Sequence, residues 1–150
     1  MASGSATRGS RHSAAPYPQL ALAVLGAWSI LPPYIGPPLG LELRVAANVE
    51  VVDHVITGVV VVLCGALSAL LARRGGGAPL GAPGLASMLA LTGLCFLAGL
   101  WQVATHVPLV LEGGDPGAPW GAVLLHSTAG PVIAVIALWL TLRNPVDEAS

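Results

Sequence analysis

Three histidines inside or beside apolar segments are the residues of this 150-residue chain best suited to chemistry. His54, His106 and His126 offer imidazole nitrogens that can ligate haem or a transition metal, or exchange protons. Glu50 lies one helical turn before His54 and adds a carboxylate to the set. Because ionisable groups inside a membrane are costly, these four residues form the candidate metal or haem site.

The same residues also have a simpler, structural interpretation. A neutral imidazole that hydrogen-bonds a carboxylate or carbonyl can fix the packing of two helices, and Glu50 with His54 suits that role. We expect this role first, with no cofactor. Haem or a transition metal is the second interpretation, and a proton or solute pathway is the third.

Motifs of known catalytic sites are absent from the chain. It contains no H-E-x-x-H, G-x-S-x-G, P-loop or C-x-x-C sequence. We therefore assign no catalytic residue and favour a protein without enzymatic activity. Cys64 and Cys95 lie in apolar runs and are expected to be small buried hydrophobic residues. The net charge of -1 and the absence of lysine give no reason to expect a nucleic-acid partner.

The composition requires a lipid environment for these residues. The chain is 55% hydrophobic and 9% charged, with a mean hydropathy of +0.80. Soluble domains are nearer one quarter charged, so this chain has too few charges to cover its apolar surface in water. The sequence therefore predicts an integral membrane protein whose main partner is the bilayer.

Four apolar runs separated by loops rich in Pro and Gly predict an all-α protein with four transmembrane helices. Residues 1–18 are expected to form a disordered cytoplasmic tail, 19–142 the transmembrane domain and 143–150 a second tail. A signal peptide is the alternative for the first run, which lacks a cleavage site of small residues after it. The predicted helices are Gln19 to about Tyr34, Asn48 (as N-cap) to about Leu71, Leu85 to His106 or Leu109, and Trp120 to Leu142.

The arginines indicate the orientation. All but Arg44 lie in the two tails or the middle loop, whereas the other two loops carry most of the acidic loop residues. By the positive-inside rule, both termini are cytoplasmic.

Small residues follow the histidines at helical spacing. Gly58 and Gly65 share a face with His54, and Gly130, Ala134 and Ala137 share one with His126. Since small residues allow close helix approach, we expect the second and fourth helices to pack against each other, and a homo-oligomer or a membrane protein partner is compatible with such faces. Pro131 predicts a kink in the fourth helix.

The two halves of the chain share a pattern that indicates an internal duplication of a two-helix repeat. Gly26-Ala27-Trp28 matches Gly99-Leu100-Trp101, and the segments from Asp53 to Gly58 and from Leu125 to Gly130 share H-x-x-x-G. The repeats are residues 19–71 and 85–142. With two helices each, they enter from the same side and are related by a twofold axis along the membrane normal.

The segment from Leu25 to Gly36 resembles the signature of the SPW-repeat membrane proteins, and Asn48 and Gly58 fit later markers of that family. Pro32-Pro33-Tyr34 stands where the family has Ser-Pro-Trp, and the second half has Thr105-His106-Val107 there. The resemblance implies a four-helix protein of a bacterial plasma membrane and no assigned chemistry. The leading functional expectation is a structural or accessory membrane protein. The alternatives are a histidine-ligated haem or metal protein of electron transfer and an oligomeric proton or small-solute transporter.

Overall fold

A computed structural model describes residues 16–41, 47–74, 80–111 and 120–143 of the chain. Every regular element in these ranges is helical. The all-α membrane fold with four transmembrane helices is thus confirmed, since four spans are long and apolar enough to cross a bilayer. The predicted disordered tails, apart from residues 16–18 and Arg143, lie outside the described residues. The spans are Tyr17–Ile35, Val49–Arg74, Ala82–Val107 and Trp120–Arg143.

The first span ends at Ile35, one residue from the predicted end at Tyr34, and its helix is interrupted where the prolines begin. Its main helix is Tyr17–Ile30, which begins inside the predicted tail, and further turns follow at Pro32–Ile35 and Pro37–Leu39. A proline at the start of a helical turn needs no backbone donor, so the chain can resume a turn at each proline pair. The run ends at Gly40, whose φ of 66° is in the left-handed region that favours glycine.

The second span contains a π-helical turn that the sequence did not reveal. Helix Ala47–Val51 leads into the π-helical turn Val52–Ile56, and the α-helix Thr57–Arg74 follows. The prediction that Asn48 is the N-cap was wrong by a residue or more, because the helix already begins at Ala47.

The third span is longer than predicted, and the fourth is interrupted. The third helix is Ala82–Leu111, while the fourth span consists of Trp120–Ser127 and Ala129–Arg143 with a break at Thr128. Pro131 lacks the N–H that would bond the Ser127 carbonyl, and its ring crowds that carbonyl. The break therefore falls where Pro131 predicted a disturbance of the helix.

The spans form a bundle in which chain neighbours are also spatial neighbours, and the fourth span returns to contact the first. The second and fourth spans therefore lie across a diagonal. The small-residue faces of these two helices do not pack against each other as predicted, because a stripe of small residues shows which face is buried but not which helix covers it. The two spans do meet through the side chains of His54 and His126, as predicted.

The predicted small residues do lie at helix contacts, with different partners. A Cβ built at Gly58 would lie 2.8 Å from the Gly26 carbonyl oxygen, across the contact of the first and second spans. A Cβ at Gly130 would lie 3.1 Å from the Gly99 carbonyl oxygen, across the contact of the third and fourth. Each half thus closes its own helix pair through a glycine pair. The duplication itself stays a prediction. Gly65, Ala134 and Ala137 are also buried.

An apolar core fills the middle of the bundle. Leu22, Val61, Cys95 and Ile133 are 0% exposed and come one from each span. Both cysteines are buried free thiols, as expected from the sequence. This core lies between the polar end described next and the end that carries residues 16 and 143.

Candidate functional site

Polar side chains from three spans meet at the end of the bundle remote from residues 16 and 143. We call them the histidine cluster. His54 is 2% exposed, His106 5% and His126 2%, so all three predicted histidines are buried in the protein. The diagonal arrangement of the spans brings these side chains to the bundle axis. The members of the cluster are Glu50, Asp53 and His54 of the second span, His106 of the third and His126 of the fourth.

His106 and His126, the two outer histidines that flank His54, are each paired with one carboxylate. The Nε2 atom of His126 lies 3.1 Å from Oε1 of Glu50. The Nδ1 atom of His106 lies 3.4 Å from Oδ2 of Asp53. The expected pairing of Glu50 with His54, one turn apart in the same helix, was wrong, because Glu50 reaches across the bundle to the fourth span instead.

The π-helical turn explains how neighbouring residues Asp53 and His54 both face the interior. A π-turn holds an additional residue, which reduces the angle between successive side chains relative to an α-helix. Both residues are buried, at 8% and 2% exposed. Thr57 Oγ1 donates a hydrogen bond to the Asp53 carbonyl oxygen at the end of this turn. π-turns occur frequently at functional sites, so this one supports a role for the cluster.

Backbone carbonyls hold two of the imidazoles in place. His106 Nδ1 lies 2.8 Å from the carbonyl oxygen of Gln102, and His126 Nδ1 lies 2.8 Å from that of Ala122. A carbonyl can only accept, so in both rings Nδ1 carries a hydrogen and donates it. When these imidazoles are neutral, Nε2 therefore carries the lone pair.

Four further residues extend the cluster, and no sequence motif assigned a role to any of them. Thr105 Oγ1 lies 3.1 Å from each carboxylate oxygen of Asp53. One turn deeper, Gln102 Nε2 donates hydrogen bonds to Ser29 of the first span and, at 2.9 Å, to Thr57 of the second. A glutamine at i−4 from His106 within an apolar helix was the available sequence signal for this network.

The cluster also contains buried polar atoms without partners among the described residues. They are His54 Nδ1 and Gln102 Oε1. Leaving a buried donor or acceptor unpaired costs about 1–3 kcal/mol, so a stable protein usually supplies a partner. A water or an ion would satisfy these atoms.

Among the described residues, two carboxylates lie in the cluster, whereas the arginines lie elsewhere. Arg73 and Arg74 end the span that carries Glu50, roughly 35 Å away along its axis. Arg143, stacked on Trp139 at 4.5 Å, ends the fourth span. Arg44 lies outside the described residues. Within the described part of the chain, only imidazoles face Glu50 and Asp53 at ion-pair distance.

Part of the cluster has the dimensions of a metal site. Asp53, His54 and His106 each offer one ligand atom, and these atoms lie within 4.8 Å of one another. The rings of His106 and His126 stand edge-on to His54, with centroids 5.1 and 5.2 Å from it. The arrangement can bind a cation between imidazoles and a carboxylate.

Comparisons with known proteins assign no function to the chain. No protein-family model, curated protein or solved structure matches the chain. The resemblance to SPW-repeat proteins stays a prediction, and what is shown is a four-span membrane protein with a buried histidine cluster.

Proposed function

We propose that this membrane protein binds one divalent transition-metal ion in the histidine cluster. The observation that carries the proposal is the group Asp53, His54 and His106, whose ligand atoms lie within 4.8 Å of one another in a buried position. Imidazole suits Zn²⁺, Cu²⁺, Ni²⁺ and iron, whereas Mg²⁺ and Ca²⁺ prefer sites made of oxygen atoms alone. The ligand types therefore favour a transition metal.

Charge balance supports a divalent ion. In the ion-bound cluster, ionised Glu50 and Asp53 bring two negative charges, and imidazoles that ligate an ion are neutral and bring none. A divalent cation makes the sum zero. Burying an uncompensated charge is far more costly than burying a neutral assembly, so the cluster suits a doubly charged ion.

The arrangement of the rings favours an ion over haem. A haem held by two histidines has the porphyrin between their rings. His54 makes edge contacts with both His106 and His126, with interplanar angles of 70° and 72°. No slot for a planar macrocycle separates His54 from either neighbour.

The other expected functions make different use of the same residues. A structural role would need only the hydrogen bonds and no ion, and it is the function left if no metal binds. A transporter needs a polar path through the membrane, and the apolar core of Leu22, Val61, Cys95 and Ile133 gives a single bundle no support for one.

The orientation is part of the proposal. The distribution of arginines favours cytoplasmic termini, with the histidine cluster toward the outer face of the membrane. The resemblance to SPW-repeat proteins favours a bacterial plasma membrane. A C-terminal reporter enzyme that is active only outside the cytoplasm should be inactive, and an active one would reverse this orientation.

Equilibrium dialysis of the detergent-solubilised protein against Zn²⁺ tests the proposal. The wild type should retain one zinc per chain, and the His54→Ala/His106→Ala variant should retain none, because two ligands are removed. The His12→Ala variant is the matched control for histidine content and should bind like the wild type. Equal zinc in the double variant, or none in the wild type, would contradict metal binding at this site.

A further inference from the structure

The two outer imidazoles of the cluster are arranged around His54 in the same way. The His54–His106 and His54–His126 centroid distances are 5.1 and 5.2 Å, and the interplanar angles are 70° and 72°. The partners come from different spans and have different carboxylates beside them. This equivalence suggests that His126 has the same role as His106.

The distances agree with those of histidines that share one ion. When two imidazoles bind a tetrahedral metal at about 2.0–2.1 Å, their ring centroids lie roughly 5 Å apart. Both observed pairs have this separation. The His126 nitrogen is not among the ligand atoms that lie within 4.8 Å of one another, so its ring must shift toward the ion once Glu50 releases it.

The hydrogen bonds of the rings also suit ligation. Histidines that bind metals donate their second ring N–H to a carbonyl or carboxylate, which fixes the ring and the tautomer. His106 and His126 both do so through Nδ1, each at 2.8 Å from a carbonyl oxygen one turn earlier. His54 Nδ1 is buried without a partner among the described residues. Each ring therefore has one nitrogen available for an ion.

We infer that His126 is the third imidazole ligand, completing a tetrahedral site with Asp53, His54 and His106. This inference rests on the proposed metal binding. Glu50 now lies 3.1 Å from His126 Nε2, and it gives up that nitrogen when the ion binds. Three nitrogens and one oxygen in tetrahedral geometry suit Zn²⁺, since Cu²⁺ prefers tetragonal sites. Four protein ligands leave no open position, which is the arrangement of sites that hold a metal rather than activate water.

Cobalt spectroscopy tests the ligand set. Co²⁺ replaces Zn²⁺ readily, and its visible d–d absorption is intense in four-coordinate sites and weak in six-coordinate ones. The wild type loaded with Co²⁺ should show the intense bands. In His126→Ala water replaces one imidazole, so the bands should shift in position and intensity, and Co²⁺ affinity should fall by more than about 100-fold, because loss of an outer partner alone costs roughly 10–100-fold. His12→Ala, which leaves every residue of the cluster unchanged, is the control and should keep the intense bands.

A second variant covers the case in which His126→Ala does not fold. In His126→Cys, a thiolate bound to Co²⁺ should add a ligand-to-metal charge-transfer band in the near ultraviolet, which a merely structural residue 126 cannot produce. A His126→Cys protein that binds Co²⁺ without this band overturns the inference. So does a His126→Ala protein with the wild-type spectrum and affinity, which leaves the proposed site of Asp53, His54 and His106 intact. If the wild type binds no Co²⁺, both the inference and the metal-binding proposal are wrong. If the wild type shows the intense bands, the metal-binding proposal stands whatever the His126 variants show.

Discussion

Gly99→Ala is expected to destabilise the protein by about 1–3 kcal/mol or more, the range for overpacked helix contacts. A Cβ at this position would lie 2.7 Å from the Ala134 nitrogen and 2.9 Å from the Gly130 carbonyl oxygen. Both neighbours are backbone atoms, which cannot rotate away as a side chain can. The third and fourth spans would have to separate, and the histidine cluster between them would lose its geometry.

Gly93→Ala is the matched control in the same helix. A Cβ at Gly93 meets nothing within 4 Å, and alanine is the better helix former by about 1 kcal/mol in water. Thermal unfolding in detergent should therefore show a lower melting temperature for Gly99→Ala and an unchanged or higher one for Gly93→Ala. Similar melting temperatures for both variants would show that the close contact does not hold the helix pair together.

Zn²⁺ should raise the melting temperature of the wild type substantially. A ligand that binds only the folded state contributes about 2.7 kcal/mol at a free concentration 100 times its dissociation constant. For a chain of this size the shift is roughly 5 °C or more. The effect should be specific, because the unfolded chain does not bring His54, His106 and Asp53 together.

Two comparisons check this stabilisation. Mg²⁺ should leave the melting temperature of the wild type unchanged, because imidazoles are poor ligands for it. The His54→Gln/His106→Gln variant should show no shift with Zn²⁺ at the same concentration. An equal shift in this variant would place the stabilising ion elsewhere in the protein.

The four membrane spans could be predicted from the sequence because each one is a continuous apolar segment of the chain. Each apolar run is long enough to cross a bilayer, and a spanning segment of a helical bundle must satisfy its own backbone hydrogen bonds. The close helix contacts at Gly58 and Gly130 were also readable, since small residues at helical spacing allow backbone approach. The helix that packs against each of these faces could not be predicted, because the spacing of small residues defines a buried helix face but not the neighbouring helix.

The candidate site was predicted only in part for a similar reason. His54, His106 and His126 were identified by type and depth, and the bundle brings them together. The roles of Asp53 and Glu50 depend on a π-helical turn and on a contact across the bundle diagonal. Neither feature has a sequence signature, so the i, i+4 rule paired Glu50 with the wrong histidine.

X-ray absorption at the zinc edge tests most directly whether the ion lies in the histidine cluster. The sample is the wild-type protein in lipid nanodiscs, loaded with one equivalent of Zn²⁺ and dialysed. The account predicts a first shell of nitrogen and oxygen at about 2.0–2.1 Å, with the outer-shell scattering of imidazole rings. Sulfur scattering at about 2.3 Å, which would point to Cys64 and Cys95, or a zinc environment without imidazole would contradict it.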